Sequence, residues 1–104
     1  KADEIIIPFL DSPEFSSNYI FPVIIKNSTE QKRNEIREHL ANLSIQTSVH
    51  YPAVHKFSIY SEYSFNLPRT EYVTNNLISL PMYGNLKFEE VKYISDSLLK
   101  SLNK

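Results

Sequence analysis

A chain of 104 residues with 11 basic and 12 acidic side chains has a formal net charge of −1, and 41% of it is apolar. That balance fits one domain with a real core and supplies no positive field to recruit nucleic acid or an anionic membrane. The absence of cysteine excludes a disulfide framework and thiolate chemistry, and the single glycine, Gly84, excludes a glycine-rich phosphate cradle.

The apolar runs at residues 5–7 and 20–25 fall far below the roughly 20 residues that a membrane span needs. With no signal-like N-terminus, the sequence reads as soluble and cytoplasmic. It begins at Lys1 rather than Met, and it is expected to be a piece of a longer chain.

Residues 1–17 combine the run Ile5, Ile6, Ile7 with Pro8 and the turn formers Asp11, Ser12, Pro13, Ser16 and Ser17, which predicts a brief strand and then a loop. Residues 18–26 are apolar at almost every position and predict a strand covered on both faces. Pro22 cannot donate to a ladder, so its side is expected to be an edge or a bulge. Ser28 and Gln31 have capping-box spacing and open a helix with the stripe Ile36, Leu40, Leu43. Glu30, Lys32, Arg33, Glu35, Arg37 and Glu38 are assigned to its solvated faces. Ser44 stands where glycine would terminate such a helix best, which predicts a frayed end.

Residues 45–51 alternate, predicting a strand with Ile45, Thr47, Val49 and Tyr51 on the core face and Gln46, Ser48 and His50 on the polar one. Pro52 ends it. Residues 53–66 read as a long loop or short helical turn whose aromatics Phe57, Tyr60, Tyr63 and Phe65 are expected to be at least partly covered. Pro68 opens a second helix of about ten residues. Residues 78–80 form a short strand, and Met82, Tyr83, Gly84 and Asn85 a turn in which Gly84 can take a positive φ. A last helix runs from Phe88 to about Leu102 on the stripe Val91, Ile94 or Ser95, Leu98, Leu102, with Lys100 and Lys104 near the negative end of its dipole. Together these elements predict an α+β fold, an α/β sandwich with a small three- to four-stranded sheet and three helices.

Residues 45–60 hold the densest set of polar chemistry: His50, Tyr51, His55 and Tyr60. The two histidines invite a metal reading, but no carboxylate lies near them in sequence. Ser48 or Ser58 beside a histidine invites a nucleophile reading, but serine is common here. The plainer alternative places Tyr51 in the core, His50 at a hydrogen-bonded surface and His55 in an exposed loop. Tyr60, Tyr63, Phe65, Tyr72, Tyr83 and Tyr93 suit core or interface packing better than stacking on a sugar or base. Among the lysines, Lys56 is the one remote candidate for Schiff-base chemistry.

The run Ile45-Gln46-Thr47-Ser48-Val49-His50-Tyr51-Pro52 is followed by His55, Phe57 and Tyr60, then Leu67-Pro68 and Thr70-Glu71. Farther on come Ser79-Leu80-Pro81-Met82-Tyr83, Leu86, Glu89-Glu90-Val91 and Tyr93-Ile94, while Asn18-Tyr19-Ile20-Phe21-Pro22-Val23 lies upstream. This ordered series resembles the C-terminal part of the DegT/DnrJ/EryC1/StrS family of pyridoxal-phosphate-dependent sugar aminotransferases over residues 18–102, with 1–17 as a lead-in.

The resemblance implies a single C-terminal small domain, 1–104, like that of fold type I pyridoxal-phosphate transferases, with the N-terminal large domain missing. It implies pyridoxal phosphate, a nucleotide-linked keto sugar, an amino-acid donor and a homodimer for the full-length enzyme. The family's aldimine lysine lies upstream, so this chain alone is expected to be inactive, to hold no catalytic residue and to bind no cofactor. His50 and Tyr51, with His55, carry over as substrate-binding residues lining the cleft. Exposed apolar surface is expected where the large domain docks, with self-association as a consequence.

The sequence departs from the family pattern at Ser44 for glycine, Ala53 for proline and Gly84 for proline. Lys87 replaces a capping threonine, which weakens that cap by about 1 kcal/mol. The alternative reading is a non-catalytic stand-alone or regulatory binding module that keeps the fold without the cofactor domain.

Overall fold

A computed structural model describes residues 2–14 and 16–103. Lys104, expected near the end of the last helix, lies outside the described residues. Short runs of isoleucine, valine and leucine form one antiparallel sheet in the order β1-β2-β3, with β1 Ile5–Ile6, β2 Phe21–Ile25 and β3 Leu77–Leu80. Val23 opposes Ile78 and Ile24 opposes Leu77, and all four are buried, so the centre of the sheet is covered on both faces as the apolar run predicts.

Pro22 opposes Ser79 in the central strand. Both backbone groups of Ser79 bond to Ser48 on the far side of β3, so Ser79 turns away from β2 and Pro22 turns toward β1. β1 has already ended there, since Ile6 pairs with Ile24. The missing donor therefore faces a local edge, as expected for proline in a sheet.

Helix α1, Glu30–Asn42, and helix α3, Phe88–Ser101, pack together on the sheet. Ile36 and Leu40 of α1 and Ile94 and Leu98 of α3 join Val23, Ile25, Ile45 and Ile78 in one buried cluster. Helix α2, Pro68–Asn76, starts on its proline as predicted and runs straight into β3. No helix among the described residues is long and apolar enough to cross a membrane.

The caps differ in detail from the sequence reading. Thr29, not Ser28, caps α1: its Oγ1 accepts from Lys32 N–H at 3.1 Å, and no capping box closes. At α3 the Lys87 ammonium cannot accept, but Glu90 Oε1 accepts the Lys87 N–H at 3.0 Å, leaving half a capping box.

The α1 C-terminus is closed rather than frayed. Ser44 takes φ 64°, its N–H bonds to Ala41 O, and Ile45 N–H bonds to Leu40 O, which is a Schellman turn sealed by contact between Ile45 and Leu40 in the core. Gly84, in contrast, has no positive φ and opens the turn Tyr83–Leu86 without needing it.

Residues 45–51 do not form a strand. Only Ser48 bridges to Ser79, Ile45 is the one fully buried member, and Tyr51 is 58% exposed rather than core. The cause lies in α1, where Arg37 takes the Thr47 hydroxyl through Nε and the Thr47 carbonyl through Nη2, each at 3.0 Å. The Thr47 carbonyl is thus committed to a side chain instead of a ladder.

Arg33 also leaves its assigned solvated face. It is 5% exposed, and its Nη1 donates to the carbonyls of Thr74 and Leu77 at 2.9 Å, closing the C-terminus of α2 and the outer edge of β3.

Candidate functional site

After the Ile45 turn the chain crosses the outer edge of β3 at Ser48 and then presents His50. The peptide between His50 and Tyr51 is cis. His50 Nδ1 lies 2.9 Å from Ser79 Oγ, so the β3 serine holds the ring. The Tyr51 ring meets His50 edge-on, with centroids 4.9 Å apart, and then projects outward. A hydrogen bond with the Tyr19 hydroxyl raises the Tyr51 phenol above its ordinary pKa.

His50 and Ser79 share the wall of an open cavity of about 830 Å³ with Tyr19, Tyr83, Glu90 and Tyr93. The cavity is rimmed by phenols and closed below by the sheet and α3. Tyr93 Oη donates to Leu43 O at 3.0 Å, tying α3 to the α1 turn at this wall.

His55 stands apart from that cavity. It sits in a short 3₁₀ turn, Val54–Lys56, and its Nε2 lies 3.0 Å from Glu71 Oε2 on α2, while Lys56 Nζ lies 3.2 Å from Glu71 Oε1. The His55 hydrogen bond first, and the Lys56 contact second, hold the Glu71 carboxyl below its ordinary pKa. The His55 side chain is 10% exposed, so it is an anchored residue rather than the exposed loop residue of the plainer reading.

The structure thus brings His50 and Tyr51 together and places His55 on a different support. Separate partners, Ser79 and Glu71, leave the two histidines no shared ion. His50 meets Ser79, not Ser48 or Ser58, and among the described residues no carboxylate orients its ring, so they assemble no nucleophilic triad.

Ser79 and Glu71 were not marked by their own sequence surroundings. The signal lay in their coincidence with the spaced runs Ser79-Leu80-Pro81 and Thr70-Glu71. Nor are the aromatics core: Tyr51, Phe57, Tyr60, Tyr63 and Phe65 are all exposed.

The model of the DegT/DnrJ/EryC1/StrS aminotransferase family matches residues 2–99. The chain belongs to that family. Among its relatives, the UDP-4-amino-4,6-dideoxy-N-acetyl-beta-L-altrosamine transaminase of Helicobacter pylori is 30% identical over 106 residues, covering 89% of the chain and 28% of the relative. GDP-perosamine synthase of Escherichia coli O157:H7 is 36% identical over 76 residues, covering 73% and 21%.

Among solved structures, Helicobacter pylori PseC, an aminotransferase involved in pseudaminic acid biosynthesis, superposes with a TM-score of 0.78 at 28% identity, covering 91% of this chain and 29% of its own. That match establishes the α+β fold expected from the sequence. The chain spans between 21% and 29% of the length of these relatives.

The family implies pyridoxal phosphate, which needs a lysine amine and cationic or N–H partners for its phosphate. The cavity offers the carboxylates of Glu89 and Glu90, and none of its described lining residues is lysine or arginine. Lys56 is exposed, ion-paired with Glu71, and outside the described lining of that cavity. The residues present do not fit the cofactor, and no chemical step is assigned to it in this chain.

Proposed function

We propose that this chain, residues 1–104, is the C-terminal small domain of a longer pyridoxal-phosphate-dependent aminotransferase that exchanges the keto group of a nucleotide-linked sugar for an amine taken from an amino acid. In this reading the chain is one wall of the substrate cleft. His50 and Tyr51 lie on the substrate side, and His55 contributes by pinning residues 53–57 to α2 through Glu71. The absent large domain brings the cofactor, its lysine and most of the contacts of a cytoplasmic homodimer.

The observation that carries the reading is the placement of His50. It is fixed to the sheet by Ser79 and lines an open cavity, while the lysines remain outside the described lining. The sugar-nucleotide names of the relatives and the PMP-form structure of a putative sugar aminotransferase from Streptococcus pneumoniae, 26% identical with a TM-score of 0.79, support the substrate class and the cofactor.

Two measurements test it together. The native polypeptide is expected to have roughly three to three and a half times the 12.1 kDa mass of this chain, in proportion to its relatives. Pyridoxal phosphate is expected to give an internal-aldimine absorbance with the longer protein and none with this chain. A native mass equal to that of this chain, or an aldimine band from it alone, overturns the proposal.

A further inference from the structure

Ser79 is 4% exposed, and both of its backbone hydrogen-bonding groups are taken by Ser48. Its hydroxyl has one partner among the described residues, Nδ1 of His50 at 2.9 Å. A buried hydroxyl must place its hydrogen on an acceptor, because an orphaned buried donor is rarer and costlier than an acceptor with a spare lone pair. Nδ1 is the acceptor in reach, and a neutral imidazole that accepts at Nδ1 carries its proton at Nε2.

We propose that Ser79 is a positioning residue that fixes neutral His50 as the Nε2–H tautomer, so the ring offers a hydrogen-bond donor, not a base, to the cavity it lines. The inference deepens the proposed function, resting on His50 being a substrate-side residue, and adds its orienting partner and its ligand atom. Nε2 has no partner among the described residues. The charged groups of the described lining are the carboxylates of Glu89 and Glu90, with no cation among them. The oxygen that accepts from Nε2–H therefore belongs to an uncharged group, a sugar hydroxyl or carbonyl, rather than to a phosphate.

Long-range ¹⁵N–¹H correlation spectra of the histidine rings of this chain test the assignment. In the neutral ring, Nε2 is expected to be protonated and Nδ1 bare. Ser79→Ala is expected to shift the Nδ1 resonance toward a mixture of tautomers, and Ser79→Thr, which keeps the hydroxyl, to restore the wild-type pattern. Inorganic phosphate in excess is expected to leave the His50 ring signals in place.

A wild-type ring protonated at Nδ1 overturns the tautomer, a measurement that stands even where Ser79→Ala fails to fold. A folded Ser79→Ala with unchanged ring signals overturns the role of Ser79, and a phosphate-induced shift of His50 overturns the ligand class. These spectra need neither substrate nor cofactor, so they succeed or fail separately from the cleft reading, which the activity of His50→Ala decides.

Discussion

Replacing Arg33 by methionine keeps most of the apolar stem and removes the guanidinium that ties α1 to the junction of α2 and β3. Thr74 O belongs to the last turn of α2, and Leu77 O faces the outer edge of the sheet; both accept from Nη1 at 2.9 Å. Neither carbonyl has another partner among the described residues, and an acceptor left buried without a donor costs about 1–3 kcal/mol. Burial lowers the pKa of the guanidinium, a sign that holding the charge there is itself costly, and methionine relieves that cost.

The net expectation is a loss of about 2 kcal/mol for Arg33→Met, and about 3 kcal/mol for Arg33→Ala, which also strips the packed stem. For a domain near 100 residues, about 2 kcal/mol corresponds to a fall in Tm of roughly 10 °C. Urea denaturation followed by circular dichroism reads the first quantity and a thermal scan the second. Glu38→Gln, on the exposed face of the same helix, serves as the control and is expected to stay within about 0.5 kcal/mol of wild type. An Arg33→Met protein as stable as that control refutes the reasoning.

Ser44→Gly is expected to stabilise the chain by about 0.5–1 kcal/mol, because Ser44 holds a φ of 64° that costs an L-residue more than it costs glycine; a lower urea midpoint contradicts this. Thr29→Ala is expected to cost about 1 kcal/mol while Ser28→Ala changes stability by less than about 0.5 kcal/mol, and equal losses would return the cap to Ser28. The Glu71 pKa is depressed in the fold, so its contribution is present above the ordinary carboxylate value and is lost as pH falls through the lower, folded value. The difference in urea midpoint between wild type and Glu71→Gln should therefore shrink on acidification, and a constant difference across the acid range would exclude the linkage.

Much of the fold follows from periodicity. The stripe Ile36, Leu40 of α1 and the Pro68 start of α2 each place an element within a residue or two of where it lies, and the apolar run 18–26 contains β2, which begins three residues in, at Phe21. The failures have physical sources outside the local pattern. Residues 45–51 alternate as a strand does, but the Schellman turn at Ser44 and the grip of Arg37 on Thr47 decide their path. Arg33 looks like a solvated charge until α2 ends against it with two unsatisfied carbonyls.

The site is half legible for the same reason. His50 and Tyr51 stand out by residue type, whereas the partners that define the histidines come from distant segments, Ser79 for His50 and Glu71 for His55. The exposed aromatics Phe57, Tyr60, Tyr63 and Phe65 suggested cover because their residue type suits a core. Within this chain nothing packs over them deeply enough to bury them, which suits a surface that meets the proposed large domain.

The central claim is that this chain presents His50 to the sugar in a shared cleft. The direct test is steady-state kinetics of the proposed full-length aminotransferase carrying His50→Ala, with a nucleotide-linked keto sugar and glutamate as the proposed substrates. In that variant kcat/KM for the sugar is expected to fall about tenfold or more, equivalent to about 1.4 kcal/mol of lost transition-state stabilisation. The half-reaction with glutamate should be much less affected. An unchanged kcat/KM for the sugar would contradict the account.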